Sequence, residues 1–239
     1  MMLAAVDFSS PMIWAILIGW ILSVVLHEFA HGIVAYWGGD YTIKERGGLT
    51  LNPLQYIDPV MSIILPAVFL LMGGIPLPGG ATYIRRDLIH GRAWNVAVSA
   101  AGPASNFILF LLLTIPLHPR VGWVDPNVPP SEWTTAQVFC GAMAVLQLFA
   151  TLLNLLPVPP LDGFQIVAPF LKEETRTKLM TPPYSTAIFF GLFLFLMNSS
   201  KPAEVMVRCL VKLLSLKGYD ERSIYAVFRA FQFALWGEQ

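Results

Sequence analysis

Residues 11–36 read PMIWAILIGWILSVVLHEFAHGIVAY. A helix needs about 20 apolar residues to cross a bilayer, and this stretch supplies them. Pro11 suits the first turn of a helix, and Gly38-Gly39 marks its end. Inside the apolar run sit two histidines and a glutamate, in the order His27-Glu28-Phe29-Ala30-His31. Ionisable groups within a membrane span are costly and point to function. Positions i and i+4 share one helix face, so His27 and His31 can bind one Zn²⁺ at about 2.0–2.1 Å each. Glu28 projects beside that face, where it can take a proton from metal-activated water and pass it to a leaving amine. From Pro11 to His27 is about 24 Å of helix at 1.5 Å per residue, which places the motif inside the membrane, toward the helix's C-terminal side.

Composition supports this reading. Of 239 residues, 56% are hydrophobic and 13% charged, against about 25% charged in ordinary soluble domains. Mean hydropathy is +0.63. The net charge is zero, and no basic stripe interleaves with aromatics, so nucleic acid is not an expected partner. The expected partners are the lipid bilayer and a transmembrane protein substrate. Cys140 and Cys209 are single and far apart and form no metal or disulfide pattern.

Further apolar stretches run from Asn95 to Ile115 and from Ala136 to Leu156, each stopped by prolines. Tyr184 to Met197 is shorter, and Val60 to Leu77 is broken by Pro66, Gly73, Gly74 and Pro76. TIKERGGLTL at 42–51 reads as a strand. Ser223 to Trp236 has apolar positions at near-helical spacing and suits a membrane-surface helix. The expected fold is an all-α polytopic membrane protein, with residues 1–183 as the chemical domain and 184–239 as an additional helix and C-terminal appendage.

Basic residues favour the cytoplasmic side. Lys44 and Arg46 follow the first helix, and Arg85, Arg86 and Arg92 precede the next, so both loops belong inside. The Val60–Leu77 segment between them then cannot cross once. With two glycines and two prolines in so few residues it reads as a re-entrant loop, which membranes tolerate only where it is buried in protein or lines a wet cavity. The same parity brings the third spanning helix out on the side of His27 and His31, and Asp162 follows it in Asn154-Leu-Leu-Pro-Val-Pro-Pro-Leu-Asp162-Gly163. A catalytic zinc needs three protein ligands and an open position, and Asp162 is the best third ligand. The competing reading makes Asp162 an N-cap paired with Gln165. Asp58, before Pro59, is the rival carboxylate and better suited to a turn.

Together HEFAH at 27–31, GGLTLNPLQYIDPV at 47–60, AGPASN at 101–106 and NLLPVPPLDG at 154–163 resemble the site-2 protease family of intramembrane metalloproteases. The resemblance implies a three-helix catalytic core, zinc bound by His27, His31 and Asp162, and Glu28 as general base. It implies that Asn154 faces the active site and holds substrate or stabilises the oxyanion; on physics alone Asn154 reads equally as an interhelical hydrogen-bonding residue. It further implies an intramembrane endopeptidase of regulated intramembrane proteolysis, in the plasma (inner) membrane with its site nearer the cytoplasmic face. The alternative is an inactive zinc-binding scaffold. In AGPASN, the spacing of Ala97, Ala101 and Ser105 reads as a close-packing face, with Asn106 available to bond across helices. The Gly79-Gly80-Ala81-Thr82 stretch departs from the family pattern after the GxPxP segment.

Overall fold

The computed structural model describes residues 8–64, 66, 67 and 79–237. Three long helices form its frame: α1 (Pro11–Trp37), α2 (Gly91–Thr114) and α3 (Thr135–Asn154). Each is long and apolar enough to cross a membrane. Pro11 opens α1, where a missing N–H costs nothing. A capping box opens α3: Thr134 accepts from the Gln137 backbone N–H and Gln137 accepts from that of Thr134. Five shorter helices follow: α4 (Asp162–Val167), α5 (Glu173–Met180), α6 (Tyr184–Asn198), α7 (Lys201–Leu216) and α8 (Glu221–Trp236). Together α5 and α6 pass the same apolarity test but bend by 62° between them.

The central helix is α3, with 61% of its apolar window buried against 33% for α1 and for α2. The outer helices turn apolar surface outward instead. On α1, Trp14, Ile18 and Leu22 follow one another at i, i+4, i+8 and are each more than half exposed. A stripe of that kind suits lipid rather than water.

One core cluster joins Ile13 and Ile16 of α1, Val138, Ala142 and Leu146 of α3, and Ala226, Ala230 and Ala234 of α8. A second joins Phe110 of α2, Val145 and Leu148 of α3, Leu210 and Leu214 of α7, and Val227 of α8. The last helix, expected on the membrane surface, thus buries its alanine stripe against α3 and α1. The turn between α7 and α8 is pinned to the end of α2. Lys217 Nζ donates to Leu111 O (3.0 Å) and Thr114 Oγ1 (2.7 Å), and the Tyr219 hydroxyl donates to Thr114 O.

The strand expected at 42–51 does not form, and no strand occurs among the described residues. Thr42–Glu45 is a single helical turn. The cause lies at Asp40, which is fully buried and accepts from Thr42 Oγ1 (2.5 Å) and from the Arg85 backbone N–H (2.8 Å). This local capping competes with an extended chain. Gly47, at φ +80°, then reverses the backbone so that Gly48 N bonds Ile43 O at 2.9 Å, over the buried Ile43 side chain. Pro59–Ile64 forms a π-helical turn. Most of the Val60–Leu77 segment read as a re-entrant loop, residue 65 and residues 68–77, lies outside the described residues.

Candidate metal centre

Helical geometry stacks His27 and His31 one turn apart on α1, with ring centroids 4.7 Å apart. Their Nε2 atoms approach to 3.1 Å. Asp162, the first residue of α4, reaches both: Oδ2 lies 3.1 Å from His27 Nε2 and Oδ1 lies 3.2 Å from His31 Nε2. The competing cap reading fails on geometry. Leu161 holds the cap position, no side chain caps α4, and Gln165 contacts Met180 Sδ instead. Asp58 does serve its own turn, accepting from the Val60 N–H at 3.0 Å. Gly19, early in α1, lies against Phe139 and Met143, early in α3, and His27, late in α1, meets Asp162 beyond the end of α3, so the two helices run parallel, as the loop-charge parity implies.

Helix α2 crosses behind the two imidazoles. His31 Nδ1 lies 2.6 Å from Val98 O, and His27 Nδ1 lies 2.5 Å from Asn106 Oδ1. Asn106 Nδ2 in turn donates to Gln147 Oε1 on α3 at 2.6 Å. Between these contacts sits Gly102. A Cβ built there would fall 2.6 Å from His27 Cε1 and closer still to the Nε2 atoms of both histidines. Only glycine lets the α2 backbone come this near.

These contacts decide the chemistry of the centre. A carbonyl and an amide oxygen can only accept, so each histidine carries its proton on Nδ1. Both Nε2 lone pairs then face each other and a carboxylate, three acceptors with no donor among them. Such a set repels itself unless a cation sits at its focus. The three ligand atoms lie within 4.8 Å of one another. Tetrahedral Zn²⁺ with ligand bonds of about 2.0–2.1 Å spaces its ligand atoms about 3.3 Å apart, close to the separations here. The residues therefore fit zinc.

Glu28 is buried, 6% exposed. Asn154, the last residue of α3, is half-buried, and its side chain has no hydrogen-bond partner among the described residues. The structure brings His27, His31 and Asp162 together; it does not tie Asn154 to them. Arg86 is a site neighbour that its loop's charge alone did not single out. Its guanidinium donates to Ser99 Oγ (3.1 Å) and Asn95 Oδ1 (3.5 Å). Burial pulls its pKa down, and attraction from Asp162 offsets part of that.

Helices of membrane-crossing length that focus two imidazoles and a carboxylate on one point define a membrane-embedded metal protein. Comparison with known proteins makes the class specific. The model of peptidase family M50 matches residues 128–198. The chain is 39% identical over 168 residues to the "Putative zinc metalloprotease Rip2" of Mycolicibacterium smegmatis, covering 69% of this chain and 60% of that protein. It is 37% identical over 188 residues to the protein of the same name from Mycobacterium tuberculosis, covering 76% of this chain and 66% of the relative. It is 34% identical over 182 residues to the "Putative zinc metalloprotease YwhC" of Bacillus subtilis, covering 72% of this chain and 77% of the relative. No solved structure matches the chain. The chain belongs to peptidase family M50, the site-2 protease family. It spans less than two thirds of the length of the Rip2 relatives.

Proposed function

We propose that the chain is a zinc-dependent intramembrane endopeptidase that cuts transmembrane substrates near the cytoplasmic leaflet. The observation that carries this reading is the convergence of His27, His31 and Asp162 around one point with the buried Glu28 next in sequence to the first ligand. Three protein ligands leave one position of a tetrahedral site open, as catalytic rather than structural zinc sites do. Zinc bound there supplies Lewis acidity that activates water and polarises a carbonyl.

In this reading His27, His31 and Asp162 hold the metal, and Glu28 moves the proton from water to the leaving amine. Asn154, whose amide has no partner among the described residues, holds the substrate carbonyl or the developing oxyanion. The basic residues Lys44, Arg46, Arg85 and Arg86 in the two segments between α1 and α2, and Arg92 in the first turn of α2, support a cytoplasmic-facing centre in the plasma (inner) membrane. A scaffold without activity has no use for Glu28.

The test is cleavage of a reporter transmembrane peptide by purified protein reconstituted in bilayers, with products read by mass spectrometry. The proposal expects zinc-dependent cuts within the half of the segment nearer the cytoplasmic leaflet. Zinc-loaded protein that leaves every such reporter intact would favour the scaffold. Cuts confined to soluble loops would sink the intramembrane assignment.

A further inference from the structure

Asn106 and Gln147 form an amide pair buried between α2 and α3, 3% and 0% exposed. Neither supplies a metal ligand. Gln147 Oε1 accepts from Asn106 Nδ2 at 2.6 Å, and Gln147 Nε2 has no hydrogen-bond partner among the described residues. A buried pair kept only for stability would satisfy both amides or be replaced by apolar side chains. This pair leaves one N–H unpaired in an apolar core and sends its other end to His27.

We propose that Asn106 and Gln147 are positioning residues that set the zinc affinity of the centre from α3. The bond directions follow one another. Gln147 Oε1 can only accept, so Asn106 presents Nδ2 to it. Asn106 Oδ1 must then face His27, where it can only accept, so the imidazole proton stays on Nδ1. Nε2 is left as a lone pair aimed at the metal. If the Asn106 amide turned over, its N–H would face Nδ1 and the ring proton would move to Nε2, into the ligand position. Gln147, as it is oriented, opposes that turn, because a turned Asn106 would set its Oδ1 against Gln147 Oε1 unless both amides turned together. His31 needs no such device, because its acceptor, Val98 O, is fixed by the helix backbone. The relay thus acts on one ligand only.

The inference rests on His27, His31 and Asp162 being the metal site. It is tested by zinc affinity, measured by chelator competition at one pH on purified full-length protein, with thermal unfolding of the zinc-free form as the control for folding. Gln147→Met keeps the length of the side chain and removes the acceptor; Asn106→Leu removes the acceptor facing His27. Both are expected to lower zinc affinity about 10–100-fold, as loss of outer-shell partners does, in proteins whose zinc-free form still melts cooperatively. Asn106→Asp is expected to keep wild-type affinity. Its carboxylate accepts from His27 Nδ1, and Gln147 can turn its partnerless Nε2 toward it. That rescue separates positioning from packing.

Wild-type affinity in a folded Gln147→Met protein would overturn the relay, as would an Asn106→Asp affinity as low as that of Asn106→Leu. Should Gln147→Met fail to fold, the Asn106 pair decides alone. Wild-type protein that binds no zinc would instead remove the metal site itself.

Discussion

Replacing Gly102 by alanine adds one methyl group at the point where the metal ligands converge. The new Cβ would lie 2.6 Å from His27 Cε1, where carbon atoms settle at about 3.5–4.0 Å. Helix α2 must therefore retreat from α1 by about 1 Å. A retreat of that size would stretch the Val98–His31 and Asn106–His27 hydrogen bonds from 2.6 and 2.5 Å to about 3.5 Å, beyond useful length. Overpacking of this kind costs about 1–3 kcal/mol of stability. For a chain of this size each kcal/mol lowers Tm by about 2–4 °C. The larger effect falls on the metal, because the methyl points at both Nε2 atoms and both outer-shell acceptors are displaced. Each lost acceptor costs about 10–100-fold in affinity, so Gly102→Ala should lose zinc at least that strongly. The assay is zinc content after dialysis against a weak chelator, beside a thermal melt. Gly191→Ala, where an added Cβ meets nothing within 4 Å, is the matched control and should keep its zinc. A Gly102→Ala protein that binds zinc as the wild type does would refute the placement of α2 against the ligands.

Asp40 holds the turn after α1 to the loop before α2. Asp40→Ala leaves the Arg85 N–H without its acceptor and should cost about 1–3 kcal/mol, read as a lower Tm; an unchanged Tm would contradict that role. Burial pushes the Tyr219 hydroxyl, bonded to Thr114 O, up to about 12 from its ordinary 10.0. Unfolded chains then lose this proton first, so the contribution is intact below pH 10 and stability falls as pH rises from 10 toward 12. Tyr219→Phe should flatten that alkaline decline in pH-dependent melts. An identical decline in the variant would show that another group causes it.

Much of the frame was legible because hydropathy and helix punctuation are local signals. Pro11, the double glycine after Trp37 and the prolines after the second and third apolar runs mark helix ends to within a few residues. His27, His31 and Asp162 were legible because a metal demands particular atoms, and helix direction limited which carboxylate could reach them. Of the outer partners, only Asn106 was read as bonding across helices. Val98 contributes a backbone carbonyl that any residue would supply, and Gln147 is one polar residue in an apolar helix, 41 positions from Asn106. The packing face of α2 was read one residue out of phase. Val98, Gly102, Asn106 and Phe110 are buried, whereas Ala97 is exposed and Ala101 and Ser105 only partly covered. Small residues marked the right helix but not the face turned to the histidines. The 42–51 segment misled because its alternation suits a strand, while the residue that overrides it, Asp40, lies just outside and acts through a partner near position 85.

The central claim is that a metal held by His27, His31 and Asp162 works with Glu28 in peptide hydrolysis. Glu28→Gln keeps the size of the side chain and removes the base. Zinc content and cleavage of a bilayer-embedded reporter, measured side by side for the wild type and Glu28→Gln, test the claim most directly. The account predicts one zinc per chain in both proteins and cleavage only in the wild type. Equal cleavage by Glu28→Gln would contradict it.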